Sequence, residues 1–166
     1  MAVLTANVQR PVRIPAGGLT TRALPLAGYT NFSDGSTEHT VYKGSLVVCD
    51  VSDTDGYFRA APLTSSVAAV SGDVIGGIAL ENVEVTSDDT ADGAKKVTVA
   101  VDGVWGFPKN SLAVTDIGAA IYTSDDGNTV TTTSTNNWWI GTLVDVDGTY
   151  AWVDISHAAG RTNSAT

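Results

Sequence analysis

A nucleophilic triad needs a base within reach of a Ser or Cys, and this chain offers two histidines. His39 lies in the polar stretch Ser36-Thr37-Glu38-His39-Thr40 and His157 opens the C-terminal tail, so both read as solvated side chains. Cys49 is the single cysteine, in the run Leu46-Val47-Val48-Cys49, which predicts a buried apolar thiol. It can form no intrachain disulfide, and a cysteine-type zinc site would need its other ligands from elsewhere. No Gly-x-Ser-x-Gly elbow, phosphate loop, His-Glu-x-x-His or dinucleotide fingerprint occurs. The expectation is no catalytic residue, no cofactor and no metal.

Paired carboxylates are plentiful, at Asp53/Asp55, Asp88/Asp89, Asp125/Asp126 and Asp145/Asp147. Asp53-Thr54-Asp55-Gly56 looks like part of an EF-hand loop. Placing Gly56 at the loop's glycine position, however, puts Val51 and Pro62 where the first and last acidic ligands belong. Solvated turn acids are the simpler reading. Glycosidase chemistry needs one acid in an apolar neighbourhood and a sugar cleft; Trp138-Trp139 could stack on sugars, but such pairs in a strand more often serve a core or a subunit contact.

These residues need elements to hold them, and the composition points to strands. The chain has 166 residues, 43% hydrophobic and 16% charged, with 17 Gly. That length favours one domain with a real core. No charged and then apolar leader opens the chain, and no segment approaches the roughly 18 apolar residues of a membrane span, so synthesis and folding in a cytoplasm are expected. The net charge is −9 and unevenly spread. Arg10, Arg13 and Arg22 lie before residue 34 with no acid, while all 18 acids follow. Phosphate contacts need clustered bases, and only Lys95-Lys96 are adjacent. Nucleic acid and anionic membrane are therefore not expected partners.

No convincing amphipathic helix is present; the best candidate, residues 65–70, is one or two turns. Strand signals fall at residues 46–50, 74–83, 96–101, 119–123, 129–133, 138–146 and 149–155. Asp102-Gly103, Asp126-Gly127 and Asp147-Gly148 predict tight turns. In the last hairpin, Ala151, Val153 and Ile155 alternate with Tyr150, Trp152 and Asp154, which predicts one packed and one polar or aromatic face. A weak internal repeat also appears. Gly44-Ser45-Leu46-Val47-Val48, an Asp-rich turn and Ile75-Gly76-Gly77-Ile78-Ala79-Leu80 can be laid beside Gly118-Ala119-Ala120-Ile121-Tyr122, another Asp-rich turn and Ile140-Gly141-Thr142-Leu143-Val144. This suggests two duplicated β-units. Residues 1–18, with Pro11, Pro15 and Gly17-Gly18, read as an extended arm. Residues 19–156 form the domain and residues 157–166 a flexible tail, neither end contributing to the core.

The ordered set of motifs resembles the cement or head-decoration proteins of tailed-phage capsids. It comprises Leu4-Thr5-Ala6-Asn7-Val8-Gln9-Arg10-Pro11, Val41-Tyr42-Lys43-Gly44-Ser45-Leu46-Val47, residues 74–83, Val101-Asp102-Gly103-Val104-Trp105-Gly106-Phe107-Pro108-Lys109 and Trp139-Ile140-Gly141-Thr142-Leu143-Val144. Residues 30–40 and 87–92 are longer and more polar than in short members. The resemblance implies an all-β fold, a small β-barrel or β-tulip, that attaches to the outer surface of a phage head and stabilises it. It implies the major capsid protein as partner, commonly with the decorating chain as a trimer, and no catalytic residues. Asn7, Arg10, Pro11 and Arg13 are then the expected capsid-binding arm. Four tryptophans exceed what a small core easily hides, so Trp105, Trp138 and Trp139 are expected at the oligomer interface. The alternative is a glycan- or receptor-binding β-module of a phage fibre or bacterial surface, which would place Trp138 or Trp139 in an exposed cleft.

Overall fold

The computed structural model describes residues 6–31, 40–49, 56–61, 72–123, 125 and 127–161. The candidate helix at 65–70, His39 and Asp53/Asp55 lie outside them. The strands are β1 (Val12–Arg13), β2 (Thr21–Pro25), β3 (Thr40–Val41), β4 (Leu46–Cys49), β5 (Phe58–Ala60), β6 (Val74–Ala79), β7 (Val83–Glu84), β8 (Lys96–Ala100), β9 (Val104–Pro108), β10 (Ala120–Thr123), β11 (Val130–Thr131), β12 (Trp138–Val146) and β13 (Tyr150–Asp154). All ladders between them are antiparallel. They form a six-stranded sheet ordered β1-β9-β13-β12-β10-β11, a five-stranded sheet ordered β2-β8-β6-β4-β5 and a two-stranded ribbon β3-β7.

The all-β expectation holds, but among the described residues the strands close no barrel. The reason is a duplication that makes two open sheets. Taken in chain order, β2, β4, β5, β6 and β8 occupy the same places in their sheet as β9, β10, β11, β12 and β13 do in theirs. The correspondence extends to single hydrogen bonds. Gly44 N–H donates to Ala79 O and Ala79 N–H to Ser45 O; in the second repeat Gly118 N–H donates to Leu143 O and Leu143 N–H to Ala119 O. Both strand pairs carry a bulge at the matching step, between Val47 and Val48 and between Ile121 and Tyr122. Pro25 and Pro108 end corresponding strands, β2 and β9.

The sequence alignment of the repeats needs one correction. It set Gly76 beside Gly141, whereas Gly77, opposite Val47, is the residue in the position of Gly141, opposite Ile121. Backbone geometry decides this. Gly77 and Gly141 have φ of 139° and 152°, and an added Cβ would fall 2.2 Å from Ala100 O or 2.1 Å from Asp154 O. Only glycine fits either place.

The repeats stack in one orientation. In the first, Val47, Ala79, Val97 and Val99 point to one face, where Leu26, Val41 and Val85 cover them with help from the ribbon. Leu46, Val48, Ile75, Ile78 and Ala100 point to the other face and join the main core. In the second repeat the counterparts of that first set, Ile121, Leu143, Ala151 and Val153, supply the main core. The second sheet thus lays its front on the back of the first, and the ribbon caps the front of the first. Each fully buried Leu, Ile or Phe in these layers contributes about 1.5–3 kcal/mol.

Turn readings hold unevenly. Asp102-Gly103 joins β8 to β9, which lie in different sheets, so it is a crossover and not a hairpin. Gly127 has the expected positive φ, 97°, between the paired strands β10 and β11. The Asp147-Gly148 hairpin forms, but Gly148 is not among the positive-φ glycines. The Asp147 carboxylate instead accepts from the N–H groups of Thr149 and Tyr150, both at 2.7 Å, a side-chain-closed turn. A bulge between Leu143 and Asp145 breaks the alternation in β12, so Leu143 and Val146 both face inward and Val144 is 39% exposed. β13 alternates as read.

Both ends touch the body more than expected. Val12 packs on the main core, and Arg10 is only 6% exposed. At the other end Ala158 is fully buried, and Gly160 N–H donates to Ile75 O.

Candidate functional site

Asn7, Arg10, Pro11 and Arg13 all lie on the chain's own domain. The Asn7 side-chain oxygen accepts from Lys43 N–H at 3.0 Å, and Val8 N–H donates to Lys43 O. Arg10 bridges the repeats: its Nε donates to Gly44 O at 2.6 Å, and its guanidinium lies 4.8 Å from the centre of the Phe107 ring. Gly127 lets it fit, since a Cβ there would stand 2.9 Å from Phe107 and 3.0 Å from Arg10. Pro11 covers Gly106, where a Cβ would stand 2.6 Å from the Pro11 ring. Arg13 is the outermost. It pairs with Asp145 at 2.7 Å while its guanidinium sits 4.1 Å from the Trp152 ring centre.

Of the tryptophans expected at an interface, Trp138 is fully buried and Trp105 is 4% exposed. Trp138 Nε1 donates to the buried Asp73 carboxylate at 2.8 Å, and Trp105 Nε1 to Asp102 O at 2.9 Å. Within the single chain both are core side chains with their polar ends satisfied, so neither stands at a surface contact or in an open sugar cleft. Trp139 is half-buried, its Nε1 donating to Gly141 O. Sequence reading missed Trp152, which is half-buried on the same outer sheet face; its Nε1 donates to Asp147 at 2.7 Å and its ring meets Tyr150 edge-on. The alternation Tyr150/Trp152/Asp154 was the signal for it.

The acids close turns. Asp125 Oδ1 accepts from the N–H groups of Gly127, Asn128 and Thr129 and from the Thr123 hydroxyl. Asp89 accepts from Thr86 N–H and hydroxyl, which with nearby Lys95 hold its carboxyl below the usual range. Asp147 is likewise held low, chiefly by the Tyr150 and Thr149 N–H groups, then by Trp152 and the charge of Arg13. Among the described residues no three His, Cys, Asp or Glu side chains converge as a metal site. His157 is exposed.

The assembled features are those of a two-repeat β-sandwich whose exposed chemistry lies in sheet faces and an arm. Residues 38–151 match the family described as phage cement protein. The chain belongs to that family, a structural one associated with the phage capsid. No curated protein and no solved structure matches the chain.

Proposed function

We propose that this chain decorates the outer surface of a phage head and stabilises the shell by binding across its capsid subunits. Membership of the phage cement family carries the reading. It is supported by acids committed to turn closure and by a rigid stack of two sheets with a buried core. The arm enters the proposal in a changed role. Arg10 is held inside the domain, so among Asn7, Arg10, Pro11 and Arg13 it is Arg13, with a side chain 49% exposed, that is offered to a partner.

The test is to add the purified full chain to heads assembled without it. Saturable binding at symmetry-related positions and a higher temperature of head rupture are expected; heads that bind none of it would refute the reading. The resemblance implies a trimer; of the three tryptophans expected at its interface, Trp105 and Trp138 are buried within the chain and Trp139 reaches the surface.

A further inference from the structure

The duplication shows what the outer face of the second sheet has lost. Leu46, Val48, Ile75, Ile78 and Ala100 on the back of the first repeat are buried under the second repeat. Their counterparts by strand register are Ala120, Tyr122, Trp139, Thr142 and Asp154, which are exposed or half-buried. Where a sheet face merely turns to water, such positions become Thr, Lys or Glu. Here two became Tyr and Trp, and Thr98 of the first repeat is matched by Trp152. Tyr and Trp suit a face that is wet at one time and covered at another.

A second observation falls on the same sheet. Among the described residues the exposed large apolar side chains are Ile14, Val114, Ile117 and Val144. Val144 is in β12, Val114 and Ile117 flank the turn that precedes β10, and Ile14 follows β1. Among the described residues none lies in the first repeat, whose front is capped by the ribbon.

We propose that this outer face, centred on Tyr122, Trp139, Thr142 and Trp152, is the surface by which the chain docks on the shell, and that the shell meets it with apolar side chains flanked by Lys or Arg. The proposal rests on the cement reading above and names its contact surface. Charge selects the partner. The face and its rim carry Asp145, Asp147 and Asp154 against Arg13, so a second copy would oppose acid to acid, whereas a basic surface is complementary. The rings are held in advance. Trp152 is fixed between Arg13 and the Asp147 hydrogen bond and Trp139 by Gly141 O, which lowers the entropy lost on docking.

The experiment measures binding of full-length variants to heads assembled without the chain, alongside the thermal midpoint of each free variant. Thr142→Arg and Val144→Lys should each weaken binding at least tenfold with midpoints near wild type. Thr142→Glu should weaken it less, and Glu84→Arg on the exposed ribbon should leave it unchanged. Wild-type binding by folded Thr142→Arg and Val144→Lys overturns the proposal, and a larger loss for Thr142→Glu than for Thr142→Arg overturns the basic partner. A wild-type dimer that Thr142→Arg converts to monomer also overturns it, since the occupant would be a second copy. Failure of the wild type to bind heads instead overturns the cement reading, and the proposal with it.

Discussion

The two repeats share a backbone and differ in what covers them. The first is buried on both faces, by the ribbon in front and the second repeat behind. The second is buried only in front, and it gains a strand from the arm: Val12 and Arg13 pair with Trp105 and Val104 along the edge of β9. The corresponding edge of the first repeat, β2, ends its sheet. Shared positions therefore report what the fold requires, and divergent ones report what each repeat touches. The glycines at 77 and 141 belong to the first kind, the outer residues of β10, β12 and β13 to the second.

The largest expected effect breaks the shared part. Gly141→Ala and Gly77→Ala should each cost several kcal/mol, about 3 or more, because the Cβ would strike a partner carbonyl in strained backbone. Gly148→Ala, with nothing near its added Cβ, should change stability by less than about 0.5 kcal/mol. Denaturant unfolding of the three variants checks this. Equal, small losses at 77 and 141 would mean that the repeats do not share this close strand crossing.

Next come the polar groups that only one repeat possesses. Trp138→Phe removes a hydrogen bond between two buried side chains and should cost about 2 kcal/mol. Trp139→Phe, half-buried with a carbonyl acceptor, should cost less than about 1 kcal/mol. The ratio of the two in thermal unfolding sharpens the distinction between core and outer face.

The arm gives a smaller contrast. Arg10→Met should lose about 1.5–3 kcal/mol, the range for a charge-assisted hydrogen bond in a buried setting. Arg13→Ala should lose no more than about 1 kcal/mol, since its pair with Asp145 is half exposed. Equal losses would mean that the arm's inner and outer residues are held alike.

The smallest effect is a pH step at the hairpin of the second repeat. Asp147 titrates below the usual carboxylate range in the folded chain. A lowered folded pKa means its stabilising contribution is complete above the unfolded value and is lost as pH falls through the folded one. Acidification below about pH 4 should therefore loosen the Asp147–Trp152 contact and change tryptophan fluorescence. Asp147→Asn should remove that step; its persistence in the variant would assign it elsewhere.

Much of this was legible in the sequence. Seven strand signals fall on strands, and the repeat was visible through Gly44 and Gly118 and the Ile-Gly text. β1, β2, β3, β5 and β9 were not read as strands. β1 and β3 are two residues long, too short for a period to show. β2 and β9 both end in Pro, which reads as a break until the strand is known to lie where no partner needs that N–H. The single-residue slip in the repeat arose because Gly76-Gly77 offers two glycines and only the carbonyl of Ala100 decides between them. Trp105 and Trp138 looked like interface residues because counting aromatics cannot tell a stacked pair of sheets from one small core. Arg10 looked like a free arm cation because its acceptor, Gly44 O, is 34 residues away.

Arg10 also sets an order of events during synthesis. The arm is made before its ring partner Phe107, its strand partner β9 and the Asp145 and Trp152 beside Arg13, all of which lie in the second half of the sequence. Local hairpins such as β12–β13 can close as they emerge, whereas the arm must wait for almost the entire polypeptide. Until then the β9 edge has no β1 to pair with. The arm is thus the natural last piece to dock, and its closure reports that both repeats are complete.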